Sequence, residues 1–403
     1  MTSDAAPTVE GEREALITPT FVLIVAAALG YFTAMGMLLP VLPRYVEDEL
    51  GGSGFAVGAA VGAFAVSAAL VRPLVGRLGD RLGRRPLAVV GAGIAAVSIA
   101  VYGLVDAVPF LVAARLVTGL GEAAFFVGAA TAAQDLSPDD RRGEAASFFS
   151  TSIYGGLAVG PFVGEALYRA GGDGVVWATA AVLAGIGAVV ALLIPRDLGR
   201  QPDDVEVEAV AGTRRRLLHP AAVVPGTILL MGLMGFAAFA AFLSIHLEDL
   251  GIDDAGPYFL VYGVTVLLVR VLGARVPDRF GAIRTTTLAL LAVAAGMAVI
   301  TAVDAPAAIF AGTFVFSVGM SLLFPALFSL VVNAAPARER SHAVGTFSLF
   351  FDLSQGAGAP LLGVVVDLTG TDRAAFAAAV VIALAGLVVA RVRLPALVAA
   401  RRR

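Results

Sequence analysis

The sequence of 403 residues has no cysteine and no lysine, only three histidines and one tryptophan. Without cysteine, disulfides and thiolate metal sites are excluded. The histidines, at 219, 246 and 342, are too far apart in sequence to form a metal motif, and no metal or cofactor is expected. Charge is scarce as well: 15% of residues are charged, against about a quarter in soluble domains. The 28 basic residues, all arginine, face 31 acids, for a net charge of −3, which gives no reason to expect a nucleic-acid partner. No nucleophile–base constellation or nucleotide-binding loop stands out, so the chain is not read as an enzyme. The first sixteen residues lack the basic region and cleavage site of a secretory signal. They read as a disordered cytoplasmic tail before a retained membrane span.

What the chain has is apolar length. Hydrophobic residues make up 59% of it and the mean hydropathy is +0.89. A crossing needs about 20 mostly apolar residues, and twelve runs qualify: 18–40, 55–76, 87–105, 108–134, 143–166, 174–194, 222–246, 256–275, 285–303, 306–333, 343–367 and 373–393. They are called spans 1 to 12 below. Proline or glycine punctuates several boundaries, as at Pro86, Pro109 and Pro220. The predicted fold is an all-α membrane protein of two six-helix bundles, 17–195 and 220–395. A polar linker joins them at 196–219, a tail occupies 1–16, and a basic tail occupies 396–403. With the N-terminus in the cytoplasm, 22 arginines fall on cytoplasmic segments and three, Arg44, Arg169 and Arg373, on outer loops. That bias orients the chain with both termini cytoplasmic in the cell membrane. Arg72, Arg115 and Arg270 fall inside spans.

The two halves repeat one another. "VRPLVGRLGDRLG" from Val71 and "VRVLGARVPDRFG" from Val269 match at seven positions, Arg72/Arg270 and Asp80/Asp278 among them. The same 198-residue offset pairs Gly121 with Gly319, Pro138 with Pro336, Arg142 with Arg340, Phe149 with Phe347 and Gly160 with Gly358. Both halves begin on the same side, so the repeats are parallel, a transporter plan with the substrate site between them near the midplane.

Three motifs carry a resemblance to a family. Gly76-x-x-x-Asp80-Arg81-x-Gly83-Arg84-Arg85 resembles, at every position, the signature between the second and third spans of the major facilitator superfamily. "LVAARLVTGLGEAA" resembles a span 4 signature through Arg115, Gly119 and Gly121. "GLAVGPFVGE" resembles a span 5 signature of proton-exchanging exporters through Gly156, Gly160, Pro161 and Gly164. The chain looks most like the twelve-helix drug-efflux branch. It departs from the motifs by two acids inside the membrane, Glu122 and Glu165.

The resemblance implies a latch. It sets Asp80, at the cytoplasmic end of span 2, beside the start of span 11 near Ala343 when that side is closed. A helix N-terminus carries about half a positive charge and favours an aspartate there by about 0.3–1 kcal/mol. Gly76 and Gly79 would allow a close approach. Arg81, Gly83, Arg84 and Arg85 belong to the same turn. Asp278 and Arg279 would repeat the latch near Gly143.

An ionisable group deep in a span is a functional candidate by default. Glu122 lies about 20 Å along span 4 and Asp352 about 14 Å along span 11, both near the middle at 1.5 Å per residue. Arg115, two turns before Glu122 on the same face, is a candidate to respond to its charge. Glu165 lies about 5 Å from the outer end, where it can reach water. These acids are the candidates for proton coupling. A cavity wall is suggested by Tyr31, Phe32, Phe125, Phe126, Tyr154, Phe324, Phe328, Phe350 and Phe351, with Gln355 as a polar group. Apolar lining suits a lipophilic substrate. The expected activity is export of a small lipophilic or amphiphilic compound in exchange for protons. An importer or passive facilitator on the same fold, or a ligand-binding sensor or scaffold, are the alternatives. The expected partners are that substrate, protons and membrane lipid, with the chain acting as a monomer.

Overall fold

The structure is a computed structural model that describes residues 16–138, 141–196, 198, 218–272, 279–336 and 339–400, with the side chains of 80, 143, 341 and 396–400 outside the description. Among the described residues the elements are all helical. Span 1 is Pro19–Arg44, span 2 Gly54–Leu82, span 3 Arg84–Val101 and span 4 Val108–Asp135. Span 7 is Pro220–Asp249, span 8 Gly256–Leu272, span 9 Ala282–Ala302, span 10 Pro306–Ala334, span 11 Arg340–Thr369 and span 12 Arg373–Ala400. Starts follow local rules. Thr18 accepts a hydrogen bond from the Phe21 amide at 3.2 Å, with Pro19 opening the helix; Ser53 caps span 2 in the same way.

Spans 5 and 6 share one helix, Arg142–Ala191. Fifty residues would extend about 75 Å, far beyond a hydrocarbon core of about 30 Å. The helix breaks at Gly171 and Gly172, and the φ of 77° at Gly172 is open to glycine at little cost. Among the described residues ten helices are long and apolar enough to cross a membrane and Gly256–Leu272 is a shorter one; dividing the fifty-residue helix at its glycines gives twelve crossings.

The charged turn is shorter than expected. Span 2 stays helical through Arg77 and Arg81 to Leu82, and span 3 begins at Arg84. Gly83 alone makes the junction, at φ 89°, and its repeat partner Gly281 directly precedes span 9 at φ 81°. Span 12 likewise runs on to Ala400, through residues expected to be tail. Most of the linker and of the N-terminal tail lies outside the described residues, as do Arg275 and Asp278.

Even crossings put the described chain ends, Gly83 and Gly281 on one face, called the terminal face; the opposite one is the distal face. Within each half the helices close on glycine. A methyl group on Gly91 of span 3 would come within 2.3 Å of the Phe125 amide of span 4, and one on Gly296 of span 9 within 2.5 Å of the Gly312 oxygen of span 10. Between the halves the contact lies distally. A Cβ on Gly58 of span 2 would stand 2.2 Å from the Ala359 oxygen of span 11, and one on Gly263 of span 8 would stand 2.2 Å from Ala158 of span 5. At the terminal ends of the same pair, a Cβ on Gly76 or Gly345 would meet nothing within 4 Å. The halves meet distally and part toward the terminal face.

Candidate functional site

Span 2 carries Arg72 about 15 Å before its end at Leu82, too deep to leave the bundle. Its guanidinium bridges three helices. Nη1 donates to Oδ1 of Asp352 on span 11 at 3.1 Å, and Nη2 stands 3.8 Å from Oε2 of Glu122 on span 4. The guanidinium also lies 5.5 Å from the ring centroid of Phe126. Glu122 is 7% exposed and its Oε2 accepts no hydrogen bond, while the Arg72 side chain is 35% exposed. Two acids, one from each half, thus share one arginine. Such a cluster is sensitive to a proton: if either acid is neutralised, Arg72 is left to the other.

Arg115 takes no part in it. It donates to the backbone oxygens of Ala60 at 2.9 Å and Val61 at 3.3 Å, and stacks over Phe64 at 4.7 Å. The expectation that it answers to Glu122 is therefore corrected. Two turns along one helix put Arg115 on Glu122's side of span 4, but the Ala60 and Val61 carbonyls and the Phe64 ring of span 2 lie within its reach. Glu165 also differs from expectation. It is 1% exposed rather than wet, and it pairs with Arg44 of span 1, itself buried and over the Tyr168 ring.

The motif glycines of span 5 form a seam against span 1. Added methyls would press Gly156 on the Leu29 oxygen at 2.7 Å, Gly160 on Thr33 at 2.5 Å and Gly164 on Met37 at 2.5 Å, with Pro161 against Gly36. The aromatic residues fall into two groups related by the repeat. Tyr31 stacks on Phe125 at 4.1 Å, Phe32 meets Phe126, and Phe126 meets Phe149 at 6.2 Å. In the second half Phe324, the partner of Phe126, meets Phe347 at 5.4 Å, Phe328 at 5.7 Å and Phe351 at 5.9 Å. Phe350 packs on Gly226 instead. Gln355 is half-buried. Tyr154 lies under Arg270, 4.0 Å from the guanidinium to the ring centroid.

At the terminal face Arg84 pairs with Asp135 at 3.0 Å, Arg81 and Arg279 are exposed, Arg85 is half-buried and Gly83 is buried. Asp80 has a helical backbone; its side chain, and the whole of Asp278, lie outside the description. At the distal face the Asp367 carboxylate of span 11 caps the start of span 2. It accepts from the Gly54 and Phe55 amides at 2.6 and 3.0 Å. His246 and Asp372 stand 2.7 Å apart, both buried.

Arg72, Arg270, Phe149, Phe347 and Arg44 were not singled out as site residues from sequence. For the first four a signal exists: each is identical to its repeat partner.

The sequence matches the family model described as Major Facilitator Superfamily over residues 24–358 and 259–402. It is 30% identical over 358 residues to an uncharacterized MFS-type transporter of Salmonella typhimurium (strain LT2), covering 87% of this chain and 90% of that one. It is 30% identical over 405 residues to another of Burkholderia mallei (strain SAVP1), covering 97% and 96%. Among solved structures, the inward-facing, unoccupied bacterial homolog of human Spinster superimposes with a TM-score of 0.74 at 15% identity, over 94% of this chain and 96% of that one. The nucleoside transporter NupG gives 0.71 at 15% over 95% and 99%, and the human organic anion transporter MFSD10 gives 0.66 at 19% over 93% and 100%.

Proposed function

The chain belongs to the major facilitator superfamily and is a transporter rather than an enzyme; from that premise we propose that it exports a small lipophilic or amphiphilic compound in exchange for protons. The observation that carries this reading is Arg72, held between Glu122 of one half and Asp352 of the other. With the terminal face in the cytoplasm, as the arginine bias argues, the structure is the inward-open state. The Arg72–Asp352 pair needs an ionised Asp352, which is the form an exporter has after releasing its proton inward. A proton taken from outside in the distal-open state would neutralise the acid and leave Arg72 without its partner in the second half; return to the present state, with the distal face closed, re-forms the pair and favours release of the proton inward. Closure of the cytoplasmic mouth would bring Asp80 to the start of span 11 and break the distal contacts. The half-buried rings of Phe126, Phe324, Phe328 and Phe351 suit an apolar ligand body, whereas Tyr31, Phe32 and Phe125, expected in the cavity wall, are buried in packing.

The test is efflux from proteoliposomes under an imposed pH gradient. Glu122→Gln and Asp352→Asn are expected to abolish uphill export while downhill exchange survives. If both variants concentrate substrate as steeply as wild type, the coupling reading falls and a passive facilitator takes its place.

A further inference from the structure

The repeat places two arginines at equivalent points of spans 2 and 8, and gives them unequal partners. Arg72 meets residue 352 of span 11; by the same 198-residue offset, Arg270 meets residue 154 of span 5. The contact is thus made twice across the pseudo-two-fold axis, but 352 is aspartate and 154 is tyrosine. Arg270 has a ring where its twin has a carboxylate. Its Nε makes no hydrogen bond, and among the described residues no carboxylate lies within ion-pair distance of it. Nor does it pair with the central acids, whose ion-pair partner among the described residues is Arg72. Tyr262 lies two turns earlier on the same span. Arg270 is half-buried, between the halves. A cation inside a bundle normally finds an anion.

We propose that Arg270, over the Tyr154 ring, is the recognition site for an anionic group on the transported compound, so that the substrate is an amphiphile bearing a carboxylate or similar oxyanion. The guanidinium fork matches an oxyanion in two parallel hydrogen bonds. The missing aspartate of the second copy is then supplied by the ligand. The apolar remainder of the ligand would lie toward the half-buried aromatics Phe324, Phe328 and Phe351. This inference rests on the exporter reading above and narrows its substrate.

The test uses purified full-length protein in detergent and a series of aryl-alkyl carboxylates, from 4-phenylbutanoate to 1-pyrenebutanoate. Each is paired with its primary amide and with the amine of the same length. Binding is read by thermal stabilisation and equilibrium dialysis. Carboxylates are expected to bind more than about tenfold tighter than their amides and amines. Arg270→Gln should remove that preference, and Arg270→Lys should keep part of it. Tyr154→Asp restores the missing carboxylate within the protein, so it should also abolish carboxylate binding while leaving the ligand-free protein at least as stable as wild type. Loss in both variants, with unchanged circular dichroism and gel filtration, separates competition for Arg270 from misfolding. Amides or amines binding as tightly as carboxylates would overturn the proposal. So would carboxylate binding that both variants leave intact, or no carboxylate binding at all. The exporter reading fails differently: it falls if pH-gradient coupling is absent, whatever the charge of the bound compound.

Discussion

Arg44 and Glu165 form a buried pair within one half, for which a structural role is expected. Removing one member leaves the other charged and dry, which costs about 3–5 kcal/mol. Arg44→Gln or Glu165→Gln should therefore each lower stability to chemical denaturation in detergent by that order, and the double variant should recover part of the loss. Glu165→Gln should leave the dependence of export on the pH gradient unchanged; a loss of coupling without a loss of stability would return Glu165 to the proton path. At this scale the deep acids were legible, because a carboxylate in an apolar run stands out by itself. Their partner was not. Arg72 falls inside span 2 a few residues before a charged turn, and only three-dimensional packing shows it reaching spans 4 and 11. Arg115 misled for the opposite reason. Periodicity along one helix gives the face, but not whether a neighbouring helix offers closer acceptors.

Spans 2 and 11 run antiparallel, so each N-terminus is aligned with the other's C-terminal end; in this state they touch at the distal end and part at the terminal one. Asp367 fills the distal position, on the Gly54 and Phe55 amides; Asp80 stands near the terminal position by sequence. Asp367→Asn should weaken the distal cap by about 0.3–1 kcal/mol, a two- to fivefold population change. Gly58→Leu should act more strongly in the same direction, because its side chain would collide with Ala359. Spin labels at Phe55 and Leu368, both exposed, would report longer distal distances in each variant. Unchanged distances would contradict the role given to this seam. Asp80→Asn should do the reverse, favouring the state open to the terminal face. The helices themselves were largely readable from apolar length and glycine or proline punctuation. Two features were not. A pair of glycines breaks Arg142–Ala191 without a polar loop, and one glycine suffices for the turn at Gly83, so composition overstated that turn's length.

Across the whole molecule the repeat is the main source of order. It sets Gly83 with Gly281, Phe126–Phe149 with Phe324–Phe347, and Arg72 with Arg270. The copies differ at Asp352 against Tyr154 and at Glu122 against Met320, the positions on which the proposed function rests. The parallel-repeat plan was visible in sequence; that the halves touch distally and part terminally was not, since both states use the same residues. The central claim is that protonation of the Arg72–Glu122–Asp352 cluster controls which face is open. The most direct measurement is the distance distribution between spin labels across each mouth, in lipid, at pH 8 and pH 5. The wild-type protein should move away from the terminal-open state on acidification, and Asp352→Asn should show one distribution at both pH values. His246 and Asp372 form a second buried contact, at the distal face, so His246→Gln serves as the control and should keep the response. Distributions in the wild type that do not change with pH, or a response retained in Asp352→Asn and Glu122→Gln but lost in His246→Gln, would contradict the account.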